Sequence, residues 1–289
     1  MVRDQMDSCI VCGGAKHAGL AAWHAVCAGC QYESADLQPA INDAATRHVI
    51  DEKAREKSLK ALRVDNFKWI VEHAAKQVRP GAKSLLDVGS AHGWFLEEAS
   101  KKFTVLGIEP DETVGGAAAK RGLPVRAGYF PEALNPGESF DVIVFNDVIE
   151  HIPAIEGAIA ASQARLNDGG ILILNLPSSA GFFYTLSKLF ARIGWLSPFE
   201  RLWQKGLPSP HVHYFRHKNI TELVCKRGFE LTSSAELPSL RANGLLERLR
   251  FTGEVGKLAC YVQYVILLCA IPMLRLFPSD IIVCVFRKK

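Results

Sequence analysis

An apolar run that breaks at a glycine turn, followed by a second apolar run that stops at an acid about 20 residues past the turn, constrains this chain more than any other feature. Leu85, Leu86 and Val88 lead into Gly89-Ser90-Ala91-His92-Gly93. A stretch of helical character follows, then the apolar run Thr104 to Ile108, which stops at Glu109. Strand, glycine turn, helix, strand and acid make a nucleotide-binding βαβ unit. The glycines let a ligand approach the backbone, and a carboxylate at that distance suits ribose hydroxyls. Two ligand classes are open. A dinucleotide wants G-x-G-x-x-G, with its pyrophosphate on a helix N-terminus. Here Asp87 precedes the turn, which disfavours a pyrophosphate and favours an ammonium or sulfonium group.

The turn resembles motif I of the class I S-adenosylmethionine (SAM) methyltransferases, usually D/E-x-G-x-G-x-G. Asp87, Gly89 and Gly93 match, and Ala91 replaces the middle glycine. Four further segments carry the resemblance. Phe140 to Ile152, FDVIVFNDVIEHI, is similar to the fourth strand and its exit loop. Leu166 to Pro177, LNDGGILILNLP, is similar to the turn and fifth strand. His211 to Phe215 and Thr221 to Phe229 resemble a pattern that follows strand five in one branch. That branch groups with the ubiquinone-biosynthesis type and includes many enzymes of cell-surface glycan pathways. The resemblance covers roughly Ser84 to Leu237, plus a last strand near Asp280 to Arg287. It implies an α/β fold with a Rossmann-like seven-stranded sheet, and SAM as cofactor. Asp87, Gly89 and Ser90 would line the methionine part, with Gly93 completing the motif. Glu109 would take the ribose hydroxyls, and Gly128 and Tyr129 would border the adenine. Asn146 and Asp147 sit where the fourth strand exits, at the edge where ligands bind in open α/β sheets.

The 289 residues suffice for one large domain or a domain with an appendage, and 48% apolar residues support a substantial core. A net charge of +4 is too mild to argue for nucleic acid. There is no internal repeat, and the start, MVRDQMDSCIVCGG, lacks the apolar run of a secretory signal. That points to a cytoplasmic location with reduced thiols. Cys9-x2-Cys12 and Cys27-x2-Cys30 have the spacing of a tetrahedral structural zinc site. Two disulfides or free thiols are the alternative. His17 and His24 lie in the spacer and could substitute for a ligand, although a supporting or surface role suits them better. Methyltransferases of the branch named above often begin with such a ribbon. Cys225, Cys260, Cys269 and Cys284 read as packing residues.

Three regions follow: a zinc ribbon at 1–40, a helical linker at 41–80, and a methyltransferase domain at 81–289. In the linker, Asp43 to Val78 is helix-prone, with Leu59, Leu62, Phe67, Ile70 and Val71 at helical spacing, and Pro80-Gly81 ends it. Two apolar helical insertions exceed a minimal methyltransferase, at 178–210 and 240–278. The second carries the run Leu258 to Phe277, interrupted by Gln263, Pro272 and Arg275. A spanning helix there would pull the last strand from its sheet, so a surface-lying or re-entrant hairpin is easier, with Pro272 breaking a straight helix. Basic and apolar residues coincide in both insertions, which favours peripheral membrane contact over a buried helix pair.

Methyl transfer from a sulfonium needs alignment and exclusion of water, and an oxygen or carbon acceptor can also need a base. Histidine serves near neutral pH. His151 follows the fourth strand, and His211 and His213 follow the first insertion. One of these acts as base in the functional reading. In the other, Glu150-His151 is a capping or metal-supporting pair and the later histidines pack a lid. The leading expectation is methyl transfer to a small-molecule or lipid-linked acceptor in glycan, lipid or quinone-like biosynthesis. One alternative is an RNA methyltransferase using the ribbon as a grip. Asn146-Asp-Val-Ile lacks the N/D-P-P-Y of base-amine enzymes, which argues against it. Another is a catalytically silent membrane-associated scaffold, against which the Gly89 turn and Glu109 argue.

Overall fold

The structure, a computed structural model, describes residues 8–41, 52–252 and 256–289. It begins with a small antiparallel meander, β1 (Lys16–Ala18), β2 (His24–Cys27) and β3 (Glu33–Ala35). Helix α1 (Glu52–Gln77) follows and buries Phe67, Ile70, Val71 and Ala74, a stripe of helical period. The Leu59 and Leu62 side chains, and the expected helical start at 43–51, lie outside the described residues.

The next elements alternate: β4 (Ser84–Val88), α2 (Trp94–Ala99), β5 (Thr104–Glu109), α3 (Glu112–Lys120), β6 (Val125–Ala127), β7 (Phe140–Asn146), α4 (Ile155–Arg165) and β8 (Leu166–Pro177). Parallel neighbours need crossovers of this kind. Then come α5 (Phe182–Arg192), α6 (Ser197–Leu202), β9 (His213–Tyr214), α7 (His217–Cys225), β10 (Phe229–Leu237), α8 (Leu245–Thr252), α9 (Lys257–Leu274) and β11 (Ile281–Lys288). The large sheet has the order β6-β5-β4-β7-β8-β11-β10. Strands β4 to β8 pair in parallel, while β11 runs antiparallel to both β8 and β10.

The central strands are covered on both faces, so they read as unbroken apolar runs. Leu86, Ile143, Phe145, Leu172 and Leu174 join one core, while Leu85, Val142, Val144, Ile171 and Ile173 join the other. Chain order reverses between β4 and β7, and such a switch point opens a crevice at the carboxyl ends of the strands.

The small meander is not separate from this body. Strand β3 pairs with β9, Glu33 opposite Tyr214 and Ser34 opposite His213. At the far end, α8 packs on α1 and α9 packs on α8. Pro272 does not break α9, contrary to the sequence expectation; the helix runs on to Leu274. A proline so close to the C-terminus removes one hydrogen bond where the ladder is about to end. Cys269 is exposed on α9 rather than packed, whereas Cys260 and Cys284 are buried. Among the described residues no helix is long and apolar enough to cross a membrane.

Asp141, at the head of β7, fastens the strand starts. It accepts from the Lys83 N–H (2.8 Å), the Ser84 N–H (3.0 Å), the Ser84 hydroxyl (3.0 Å) and the Asn167 amide (2.9 Å). Burial alone would raise its pKa, but the donors from Asn167, Ser84 and Lys83 outweigh it and hold the carboxyl well below the usual range. A depressed acid stabilises above its unfolded pKa, about 4, and loses that contribution as pH falls through the folded value. We therefore expect Asp141→Asn to lower unfolding free energy by about 2 kcal/mol near neutral pH, and the gap to the parent to narrow in acid. Urea unfolding across that pH range measures both.

Candidate active site

The crevice at the carboxyl ends of β4, β5 and β7 encloses about 450 Å³. Asp87, Gly89, Ser90, Glu109, Gly128, Tyr129, Asn146, Asp147 and His151 all border it. Two expected residues, Gly93 and His211, do not. Gly93 caps α2 in the left-handed region, φ 74°, where a Cβ would stand 2.3 Å from Leu123. It closes the turn from behind. His211 is buried one layer back, edge-on to His151 with ring centroids 4.6 Å apart.

The turn owes its shape to Glu109. Ala91 adopts φ 43°, a conformation that costs a side chain strain, and its N–H donates to Glu109 at 2.7 Å. The other Glu109 oxygen accepts from the Asp111 N–H at 2.9 Å. At Gly89, φ is 72° and a Cβ would lie 2.6 Å from Val148, so only glycine fits. Asp87 sits beneath the turn, 1% exposed, and accepts from the Asn146 amide at 3.2 Å. Burial pushes this carboxyl up to about 8; Asn146 opposes the rise and the charge of Glu109 adds to it. Near neutral pH this carboxyl therefore favours its protonated form.

Other walls come from residues with no motif to announce them. Arg63 and Phe67 reach in from α1, Pro39 and Ile41 from beyond the meander, and Gln204, Leu207, Pro208 and Ser209 from the first insertion. Arg63 pairs with Asp147 at 3.3 Å. Asp147 and Gln204 are both left-handed, φ 54° and 51°, and the Gln204 amide meets His211 Nε2 at 2.8 Å. A charged residue on a helical linker looks like any solvated one; only the fold carries Arg63 to the cleft.

His151 Nδ1 lies 2.9 Å from the Pro210 carbonyl, which can only accept, so Nδ1 carries the proton and Nε2 is the basic atom. Glu150 Oε1 is 3.9 Å from Nε2 of both His151 and His211. Burial raises the Glu150 pKa well above the ordinary value, and the charge of Asp147 adds to that. His211 is held well below the usual imidazole range by burial, then by the neighbouring His151. His213 is lowered to about 4, chiefly by burial, against the carbonyls of Ile152 and Pro153. It accepts from the Tyr32 hydroxyl at Nδ1 and packs the ribbon rather than the cleft. Ligand atoms of Glu150, His151 and His211 lie within 4.8 Å of one another, but a cation there needs Glu150 ionised against its burial.

In the ribbon, the Sγ atoms of Cys9, Cys12, Cys27 and Cys30 all lie within 4.8 Å of one another, with Cys9 to Cys30 at 3.5 Å and Cys12 to Cys27 at 3.4 Å. All eight cysteines are free thiols. Four thiolates about a zinc ion stand roughly 3.8 Å apart, so the cluster fits a tetrahedral cation with no position left open. Burial resists ionisation of Cys27, yet the Cys30 N–H and the Cys12 thiol bring it down to about 7. His17 is exposed. His24 is buried, receives the Leu20 N–H at Nδ1 (3.0 Å) and donates from Nε2 to Glu33 (2.8 Å). Neither histidine joins the sulfur cluster.

Residues 52–234 match the family model described as a methyltransferase domain. The ubiquinone biosynthesis O-methyltransferase of Paramagnetospirillum magneticum is 33% identical over 148 residues, 48% of this chain and 59% of that one. Its counterpart in Methylobacterium nodulans is 27% identical over 133 residues, 43% and 53% of the two chains. The chain thus spans little more than half the length of the curated relatives it matches. Among solved structures, a SAM-dependent methyltransferase of Thermotoga maritima superposes with a TM-score of 0.52 at 18% identity, over 83% of this chain and 96% of that one. The chain belongs to the methyltransferase-domain family, and it has the fold of the SAM-dependent methyltransferases.

Proposed function

We propose that the enzyme methylates an oxygen of a small-molecule or lipid-linked acceptor in glycan, lipid or quinone-like biosynthesis, working in the cytoplasm at the inner face of the membrane. The observation that carries this reading is the meeting, in one crevice, of the Asp87–Glu109 turn and a histidine whose basic nitrogen is set by its neighbour. SAM, when bound, supplies an electrophilic methyl group on a sulfonium. Glu109 would hold its ribose hydroxyls, Gly128 and Tyr129 would border its adenine, and Asp87, Gly89, Ser90 and Asn146 its methionine end. Asp147 and Arg63, an ion pair across the mouth, offer opposite charges to the amine and carboxylate of that end. His151 would take the acceptor proton at Nε2, with His211 behind it as a positioning residue. The ribbon would hold one structural zinc on Cys9, Cys12, Cys27 and Cys30, and so keep β3 in register with β9.

Three outcomes follow from these roles. A cation beside Asp87 favours its ionised form, so cofactor binding expels a proton and affinity climbs with pH up to about 8, then levels. Calorimetry in buffers of different ionisation heat counts that proton. Binding without proton release, or undiminished affinity in Asp87→Asn, would take Asp87 out of the site.

Replacing His151 with alanine should lower kcat by about 10²-fold or more while SAM affinity holds. Labelled-methyl transfer to a panel of phenolic and lipid-linked hydroxyl acceptors reads this. Full turnover in both His151→Ala and His211→Ala would end the base assignment.

Elemental analysis of protein purified without chelator should find one zinc per chain. In Cys9→Ser/Cys27→Ser the metal should be lost and the melting temperature should fall, since binding energy here is folding energy. Metal-free parent protein would refute the site.

A further inference from the structure

Helix α9 is apolar on nearly every side, yet the body of the protein covers little of it. Cys260 is its one described residue that is buried. Val262, Val265, Ile266 and Met273 are 50%, 55%, 60% and 65% exposed, and Leu258 and Leu276, at or just beyond its ends, are 79% and 84% exposed. The side at Cys260, Tyr264, Leu267, Ile271 and Leu274 is the more covered one, at the spacing of a helix lying along a neighbour. The opposite side faces outward. This segment lies beyond residues 52–234, so the family match does not account for it.

The first insertion presents a second surface of the same kind. On α5, Tyr184, Ser187 and Ala191 face the protein. Phe182, Leu186, Leu189 and Ile193 recur at the helical period on the other side, and Leu189 and Ile193 are 53% and 75% exposed. The two insertions are joined. Phe182 and Phe277 rings lie 4.9 Å apart, the Phe182 N–H donates to the Pro278 carbonyl (3.0 Å), and the Asp280 carboxylate accepts from the N–H groups of Phe183 and Tyr184.

We propose that α9, with the outer stripe of α5, is a membrane-docking face that lies in the surface of an anionic bilayer. This rests on the acceptor reading above and deepens it by naming the surface where the acceptor is met. Charge decides the occupant. Residues 178–199 and 257–279 contain no aspartate or glutamate, and besides Lys188, which pairs with Glu33, they carry Arg192, Lys257 and Arg275. Arg192 and Arg275 are exposed. Cations flanking an apolar helix suit anionic headgroups. A second copy of the same face would instead set like charges together. Because no described helix is long and apolar enough to span, the helix lies along the interface rather than through it. The first insertion then turns inward, and its residues Gln204 to Ser209 wall the catalytic crevice, so the docking face and the cleft are parts of one element.

Flotation with phosphatidylglycerol–phosphatidylcholine vesicles, against phosphatidylcholine alone, tests this on the full chain. The parent should float with the anionic vesicles. Val265→Asp/Ile266→Asp should lose roughly tenfold or more in partitioning, because two outward apolar groups become charged. Leu258→Glu/Leu276→Glu is a second variant at the helix ends. Both should melt like the parent and bind SAM with unchanged affinity. A parent that ignores anionic vesicles, or a charged variant that melts like the parent and still floats, overturns the proposal. So does a dimer that the Val265→Asp/Ile266→Asp variant splits, which assigns the face to a second copy. Loss of SAM binding in the parent would count against the acceptor reading alone, since flotation does not depend on it.

Discussion

One buried carboxylate binds the two halves of this molecule. Glu33, on β3, accepts from His24 (2.8 Å), the Tyr184 hydroxyl (2.8 Å) and Lys188 (2.7 Å). Burial would raise its pKa, but His24 and Lys188 outweigh that and keep it ionised below the usual range. Its donors come from β2 and from α5, and its backbone pairs with Tyr214. Around it pack Phe199, Trp203, Tyr184 and Tyr214, an aromatic shell that excludes water. A charge in such a place is stable only while all its partners are present. The ribbon, the first insertion and β9 therefore hold one another, and the loop that walls the cleft inherits its position from that arrangement.

The cleft applies the opposite strategy to its own acids. Asp87 and Glu150 are buried without a cationic side chain bonded to them, and burial raises the pKa of both. Strain accompanies them: Ala91, Asp147 and Gln204 all adopt left-handed backbone and all border the crevice. Buried acids and strained turns cost stability. A ligand carrying positive charge and sized for the crevice would relieve the first of these costs.

How much of this the sequence disclosed depends on range. The βαβ pattern from Leu85 to Glu109 is local, and strand, turn and acid stand where periodicity and glycine spacing put them. The paired C-x2-C knuckles were equally legible, because ligand spacing is set by tetrahedral geometry and not by the rest of the chain. Residues whose role depends on docking left no such trace. Arg63, Pro39 and Gln204 reach the cleft only because α1, the ribbon and the first insertion fold over it. Gly93 belongs to the motif by spacing, yet it faces Leu123 behind the turn, because motif spacing does not say which side of a loop touches ligand. His211 looked equivalent to His151, and burial separates them. In α9 the Pro272 signal was true of the residue but weak at a helix end.

The pairing of β3 with β9 also orders events in time. Its partners are Glu33 and Tyr214, with most of the catalytic domain between them. At ordinary rates of synthesis the ribbon emerges and then waits roughly ten to forty seconds for its partner strand. During that interval Glu33 lacks Tyr184 and Lys188, and the edge of β3 is open to other chains. Only the sulfur cluster and local turns can hold the ribbon's shape meanwhile. A nascent ribbon whose sulfur cluster is already closed offers a rigid edge to which β9 can be added. One that is still loose offers an unpaired strand to whatever neighbour arrives first.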